Sequence, residues 1–204
     1  MNLLHVDSGI LGPASVSRRL SAAAVAQWRI LHPEAEVVYR DLVADPLDHL
    51  TGEVIGAKQA DPTGHSVALR DALVVNGKVL DEFLAADVVV VGAPMYNFGI
   101  QSQLKAWIDR LAVAGKTFRY TEKGPIGLAG GKTVIVASSR GGFYGPDTPL
   151  SAIDHQEKYL GAVFAFFGIT DVRFLRAEGL NVSPDVRQKA IADAEQKVVQ
   201  LMAA

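Results

Sequence analysis

Residues Ala86–Gly99 read Ala-Asp-Val-Val-Val-Val-Gly-Ala-Pro-Met-Tyr-Asn-Phe-Gly, and this stretch constrains the fold more than any other. Four consecutive valines, Val88 to Val91, leave no polar face for water, so the run predicts a short strand buried on both sides. Gly92 weakens a strand and Pro94 cannot donate to a ladder, so the backbone must leave the sheet there. Beyond it, Leu104, Trp107, Ile108 and Leu111 fall at i, i+3, i+4 and i+7, which predicts a helix lying on the sheet over Gln101 to Ala114. The loop from Met95 to Gly99 therefore leaves the carboxyl end of a buried strand, where open α/β sheets bind ligands.

The rest of the chain repeats this alternation. Strand-like runs are expected at Asn2 to Val6, around Val37 and Val38 to Leu42, at Thr133 to Ala137 and at Val172 to Ala177. Leu20, Ala24, Trp28 and Leu31 mark one face of a first helix, which His32-Pro33 closes. An aromatic-rich helix contains Tyr159, Phe164, Phe166 and Phe167, and an alanine-rich one runs from Ser183 or Pro184 to Met202, with Ser183 as N-cap. Asp45 to Asp81 is polar and broken by Pro46, Gly52, Gly56, Pro62 and Gly64. It reads as a surface excursion with one or two helical pieces. Five strands alternating with helices predict a doubly wound parallel sheet, helices on both faces, within a single domain spanning 1–204.

Composition narrows the function. A net charge of −2 offers no basic stripe for a phosphate backbone, so nucleic acid is not expected. The chain has no cysteine, so redox chemistry must come from a bound cofactor. No run is long enough to span a bilayer, and the N-terminus has no basic n-region ahead of an apolar core, so a cytoplasmic protein is expected. The five histidines show no metal-ligand spacing. Gly130-Gly131-Lys132-Thr133 resembles the tail of a P-loop, but Ile126 stands where the leading glycine belongs and a strand follows, so no NTPase is expected.

Three strand-end loops carry the candidate chemistry. Ser15 and Ser17 stand where the first helix begins, so hydroxyls and first-turn amides can meet an anion; Ser15 as a plain N-cap is the other reading. Gly9 and Gly12 do not make the G-x-G-x-x-G turn of a dinucleotide site, which leaves a mononucleotide phosphate open. Met95, Tyr96, Asn97 and Phe98 offer ring faces, an amide and backbone groups to a flat heteroaromatic; Met95 and Phe98 as core plugs is the alternative. Ser139, Arg140, Gly141 and Gly142 add amides, or are only a turn.

In order along the chain stand Ser15-Val16-Ser17, Ala93-Pro94-Met95-Tyr96-Asn97-Phe98, Gln103-Leu104-Lys105, Lys116-Thr117-Phe118-Arg119-Tyr120-Thr121, Ser139-Arg140-Gly141-Gly142 and Phe167-Gly168-Ile169-Thr170-Asp171. Taken together they resemble the FMN-dependent NADH-azoreductases, flavodoxin-like quinone reductases. The resemblance implies a flavodoxin-like fold and a tightly bound FMN. Ser15, Val16 and Ser17 would hold the phosphate, Met95 to Phe98 the isoalloxazine and ribityl chain, and Ser139 to Gly142 the pyrimidine edge. Ser8 and Pro94 are counted with them. It departs from the family at Ser8-Gly9, where a second serine is usual, so one hydroxyl near the phosphate is missing and the hold is expected to be somewhat weaker.

The implied activity is a ping-pong oxidoreductase: NADH or NADPH gives hydride to flavin N5, then a quinone or azo compound takes two electrons in the same pocket. Phe98, Phe118, Tyr120, Tyr144, Phe166 and Phe167 are candidate lining residues, against the plainer readings of Phe166 and Phe167 as core and Tyr144 as merely exposed. A homodimer with the pocket at the subunit interface is also implied. Two rivals stand beside this: a flavodoxin-type electron carrier, and an esterase using Ser139 or Ser8, which lacks a G-x-S-x-G elbow.

Overall fold

Strands and helices alternate along the whole chain, as the pattern of buried and amphipathic runs requires. The computed structural model describes residues 1–57 and 62–203. The elements are β1 (Asn2–Asp7), α1 (Val16–Leu31), β2 (Glu36–Asp41), α2 (Gly52–Gly56), α3 (Val67–Ala85), β3 (Val88–Pro94), α4 (Ser102–Leu111), β4 (Phe118–Thr121), β5 (Gly124–Gly127), β6 (Thr133–Ser139), α5 (Gln156–Phe166), β7 (Asp171–Ala177) and α6 (Pro184–Ala203). The main sheet is parallel, in the order β2-β1-β3-β6-β7. That order is the flavodoxin-like doubly wound arrangement.

All seven residues of β3 are buried, and alternate valines serve opposite faces because side chains alternate along a strand. Val89 and Val91 pack with Phe83, Trp107, Leu111 and Phe164, which come from α3, α4 and α5. Val88 and Val90 pack with Leu20, Trp28, Ile191 and Val198, from α1 and α6. Each fully buried valine contributes roughly 1.5–3 kcal/mol relative to exposure. The central strand is therefore clamped from both sides, and the loops at its carboxyl end leave a rigid platform.

Two local expectations change, and a third is filled in. The helical pieces expected between Asp45 and Asp81 are α2 and most of the long α3, whose Ser66 cap accepts from Leu69 N at 3.1 Å. Only Leu69, Val79, Leu80 and Phe83 of this helix are buried, and other apolar residues such as Val67, Val74 and Val75 stay exposed. Positions 58–61 of that expected excursion lie outside the described residues. α4 ends at Leu111 rather than Ala114, because Thr117 Oγ1 donates to Leu111 O at 2.5 Å and accepts from Val113 N at 3.1 Å, turning the chain outward. The chain then makes an antiparallel hairpin of β4 and β5 that the sequence reading did not anticipate. A Cβ on Gly127 would meet the Gly168 amide nitrogen at 2.1 Å, so this hairpin lies backbone to backbone on the chain after α5. Lys132, the lysine of the P-loop lookalike, donates to Leu84 O at 2.7 Å and Ala86 O at 2.5 Å and so caps α3.

Among the described residues no helix is long and apolar enough to cross a membrane.

Candidate functional site

The first loop runs from β1 into α1. Ser15 is the N-cap residue of α1, but its side chain accepts no capping bond, and the first turn carries no acidic residue. Its Oγ lies 3.0 Å from Ser17 Oγ, and both serines are buried. Amides of a first helical turn have no partners inside the helix, and the dipole there favours an anion. A cap that does not cap, paired with a second hydroxyl, suits a phosphate better than it suits a plain helix start. Gly9 closes the loop: a Cβ there would fall 2.3 Å from Ser15 Oγ and 3.2 Å from Ser17 Oγ.

Ser8 is placed differently from its expected role. Its hydroxyl donates to Gly92 O at 2.5 Å and accepts from Gln101 Nε2, and the residue is fully buried. It fastens β1 to the end of β3 and to the start of α4.

The second loop is a two-residue turn. Tyr96 N donates to Gly99 O and Gly99 N to Tyr96 O, both at 3.0 Å. Asn97 and Phe98 between them have φ of 48° and 69°. Asn tolerates that region; a bulky aromatic does not, and a strain of order 1–3 kcal/mol marks a place where function overrides propensity. Phe98 is 46 % exposed, so burial does not explain it. Pro94, by contrast, is a buried strand residue. His155 N holds the turn by donating to Phe98 O at 3.0 Å. Beside it opens a cavity of about 550 Å³ lined by Gly99, Ile100, Lys105, His155, Lys158 and Tyr159.

The third loop leaves β6 and is tied to the second by Met95 N donating to Ser139 O at 2.8 Å. Arg140 is the surprise of this segment. Its side chain does not face a ligand; it is 0 % exposed and meets Asp154, Glu157 and Glu178 at 3.1, 2.6 and 3.2 Å. Its Nε donates to Ser138 Oγ and Gln156 Oε1, and Gln156 Nε2 reaches Ala93 O at 2.7 Å. The loop backbone continues against the segment after β7, with Asn181 N donating to Gly141 O and Gly179 N to Gly142 O, both at 2.9 Å. A Cβ on Gly141 would lie 2.6 Å from Asn181 Nδ2, so a side chain here would have to displace the Asn181 amide.

All three loops thus emerge at the carboxyl edge of β1, β3 and β6. The six expected lining aromatics divide into two groups. Phe98 and Tyr144 meet edge to face at 6.3 Å. Phe118 meets Tyr120 at 5.5 Å and Phe166 at 4.6 Å, and Phe166 meets Phe167 at 5.9 Å. This second group sits at the opposite edge of the sheet, because α4 runs back from the carboxyl edge before β4, and Ala129 N bonds Phe167 O just ahead of β6. Phe167 is fully buried against Phe83 at 6.2 Å, a core residue as its plainer reading held.

Sequence reasoning missed the supports of the site. These are Gln101 on Ser8, Gln156 and three carboxylates on Arg140, and a network behind the first loop. In that network Ser21 Oγ donates to Asp7 Oδ1 at 2.7 Å, His5 Nε2 lies 3.0 Å from Ser21 Oγ, and Tyr39 OH donates to Asp7 Oδ2 at 3.2 Å. Burial, reinforced by Asp7 and Asp41, pushes the Tyr39 hydroxyl up to about 12. A second observation beyond residue type was available in the sequence only for Arg140, an arginine inside a glycine loop at a strand end.

The flavodoxin-like fold family matches residues 1–202 of this chain. Among curated relatives, the FMN-dependent NADH:quinone oxidoreductase of Sinorhizobium fredii is 64% identical over 200 residues, covering 98% of this chain and 96% of that one. FMN-dependent NADH:quinone oxidoreductase 2 of Bradyrhizobium diazoefficiens is 57% identical over 204 residues, covering all of both. Among solved structures, an azoreductase from Bacillus anthracis superposes with a TM-score of 0.89 at 32% identity, over 99% of this chain and 98% of that one. An FMN-dependent NADH-azoreductase of the same species, in complex with FMN, gives 0.87 at 27% identity, over 98% and 99%. Fold, loop geometry and relatedness agree, and the chain belongs to the flavodoxin-like family of FMN-dependent NADH:quinone oxidoreductases.

Proposed function

We propose that this chain binds FMN at the carboxyl edge of its sheet and uses it to move two electrons from NADH to a quinone or an aromatic azo compound. The observation that carries the reading is the convergence of three loops on one edge, one of them holding Phe98 at a positive φ while half exposed. The relatives named for this activity support it.

When bound, FMN supplies two-electron hydride transfer through N5, in a ping-pong order with donor and acceptor sharing one pocket. The protein's part is binding and electrostatics. Ser15, Ser17 and the first-turn amides of Val16 and Ser17 would hold the phosphate, with Ser8 behind them fixing the strand ends. Met95, Tyr96, Asn97 and the turn backbone would hold the ring and ribityl chain. Amides of Gly141 and Gly142 would face the pyrimidine edge and favour negative charge there. Arg140 serves indirectly, by fixing the loop on its three carboxylates.

The two aromatic groups belong to one pocket only if a second chain contributes. We therefore place Phe98 and Tyr144 of one subunit opposite Tyr120, Phe118 and Phe166 of another in a homodimer. The hairpin supports this, since Tyr120 is 74 % exposed while Phe118, which it meets at 5.5 Å on the same face, is buried, so the outer end of this aromatic group stands in water in a free monomer.

Steady-state kinetics with NADH or NADPH against a benzoquinone test the proposal. Parallel double-reciprocal lines are expected, and intersecting lines would count against a shared pocket. Bleaching of the flavin by NADH alone under anaerobic conditions separates this enzyme from an electron carrier, which would stay oxidised.

A further inference from the structure

Arg18 lies one residue beyond Ser17, and its guanidinium joins two parts of the fold that the sequence does not connect. Its Nε donates to Gly9 O at 2.8 Å. Nη1 and Nη2 grip the two oxygens of Asp41, each at 2.6 Å. Nη1 also donates to Tyr39 OH at 3.2 Å and lies 3.9 Å from the Asp7 carboxylate. Asp41 is itself fixed, accepting from Val43 N at 2.9 Å and Ala44 N at 3.3 Å in the turn that follows β2. The side chain of Arg18 is only 15% exposed.

The other end of this bridge is the residue that decides the shape of the first loop. Gly9 packs so closely on Ser15 and Ser17 that even a methyl group would not fit without moving a hydroxyl. A shift of Gly9 by a few tenths of an ångström therefore changes the space beside both hydroxyls. The guanidinium reaches the Gly9 carbonyl from Nε and both Asp41 oxygens from Nη1 and Nη2 in one rigid plane, a spread of fixed donors that the single nitrogen of an ammonium does not reproduce. Its charge is matched by the Asp41 carboxylate, so what it supplies to the loop is geometry.

We propose that Arg18, anchored by Asp41, is a positioning residue of the phosphate loop: it holds Gly9 against Ser15 and Ser17 and thereby sets the affinity for the phosphate end of FMN. The inference rests on the reading of that loop as the phosphate site.

The test compares FMN with riboflavin, which has the same ring and no phosphate. The full-length chain, stripped of flavin, is titrated with each by fluorescence quenching for the parent and for R18Q, R18K and D41N, with thermal unfolding of each variant alongside. R18Q is expected to raise the FMN dissociation constant about tenfold, the scale of one charge-assisted hydrogen bond, while riboflavin moves by less than about twofold. D41N keeps Arg18 but loosens its anchor, so it moves FMN in the same direction by less; it also carries the test if R18Q does not fold. R18K stays close to R18Q. Equal weakening of both flavins in R18Q and D41N, unchanged FMN affinity, or full recovery in R18K would each overturn the proposal. If the parent itself binds FMN no better than riboflavin, the phosphate assignment fails first and the role of Arg18 falls with it.

Discussion

Phe98 shows how a single residue can be badly suited to its backbone and still belong there. The turn Tyr96 to Gly99 needs two left-handed residues, and Asn-Gly would be the preferred pair. Phe98→Gly is therefore expected to leave stability unchanged or raise it by about 1 kcal/mol in urea unfolding, while kcat/KM for a quinone falls roughly tenfold. A clear loss of stability would mean that the ring serves packing instead. Asp41 illustrates a charge placed for structure. Its bond from Arg18 holds the carboxyl well below the usual carboxylate range. A depressed value in the folded state means stability that is present above the ordinary carboxylate pKa and lost as pH falls below it. Asp41→Asn should thus be less stable than the parent near neutral pH by about 1–2 kcal/mol, allowing for solvent screening, and the two should converge in strong acid. Urea unfolding across the acid range checks this, and a constant difference at every pH would refute it.

At the scale of elements, the loops are held by side chains borrowed from elsewhere in the fold. Arg140 locks the loop after β6 to α5 and to the segment after β7 through Asp154, Glu157 and Glu178. Removing one partner from a buried ion cluster leaves uncompensated charge, so Arg140→Met is expected to destabilise the chain by about 3–5 kcal/mol, eased where Arg176 still pairs Glu157 at 2.7 Å. Flavin retention should fall with it. A variant that unfolds within about 1 kcal/mol of the parent would show that the cluster carries little of the loop's stability.

For the molecule as a whole, the separation of its aromatics into two groups is the main consequence of the topology. If the pocket is shared between subunits, Phe98→Ala and Tyr120→Ala each damage both pockets of their own homodimer. A mixed dimer of the two leaves one pocket intact, so co-expressed variants should show more quinone reductase activity than either variant alone. No such gain, with mixed dimers demonstrated by tag exchange and native mass measurement, would place Tyr120 outside the pocket.

The sequence by itself determined the five strands of the main sheet, the buried middle strand and the three loops at its edge, because those depend on local periodicity and on residues adjacent in the chain. Four valines ending in Gly-Ala-Pro admit little else, and Ser15, Ser17, Asn97 and Gly141 sit where their own neighbours put them. Boundaries were less legible: a helical piece was expected between Asp45 and Asp81, but not the 19 residues of α3, and the hairpin was hidden by strands of four residues each. What only the tertiary structure decided are the long-range partners. Arg18 with Asp41, Arg140 with Glu178 and Ser8 with Gln101 are joined across 23, 38 and 93 positions, and the second aromatic group was carried to the far edge by the direction of α4. Periodicity reports which face of an element is buried; it carries no information about which distant side chain arrives to meet it.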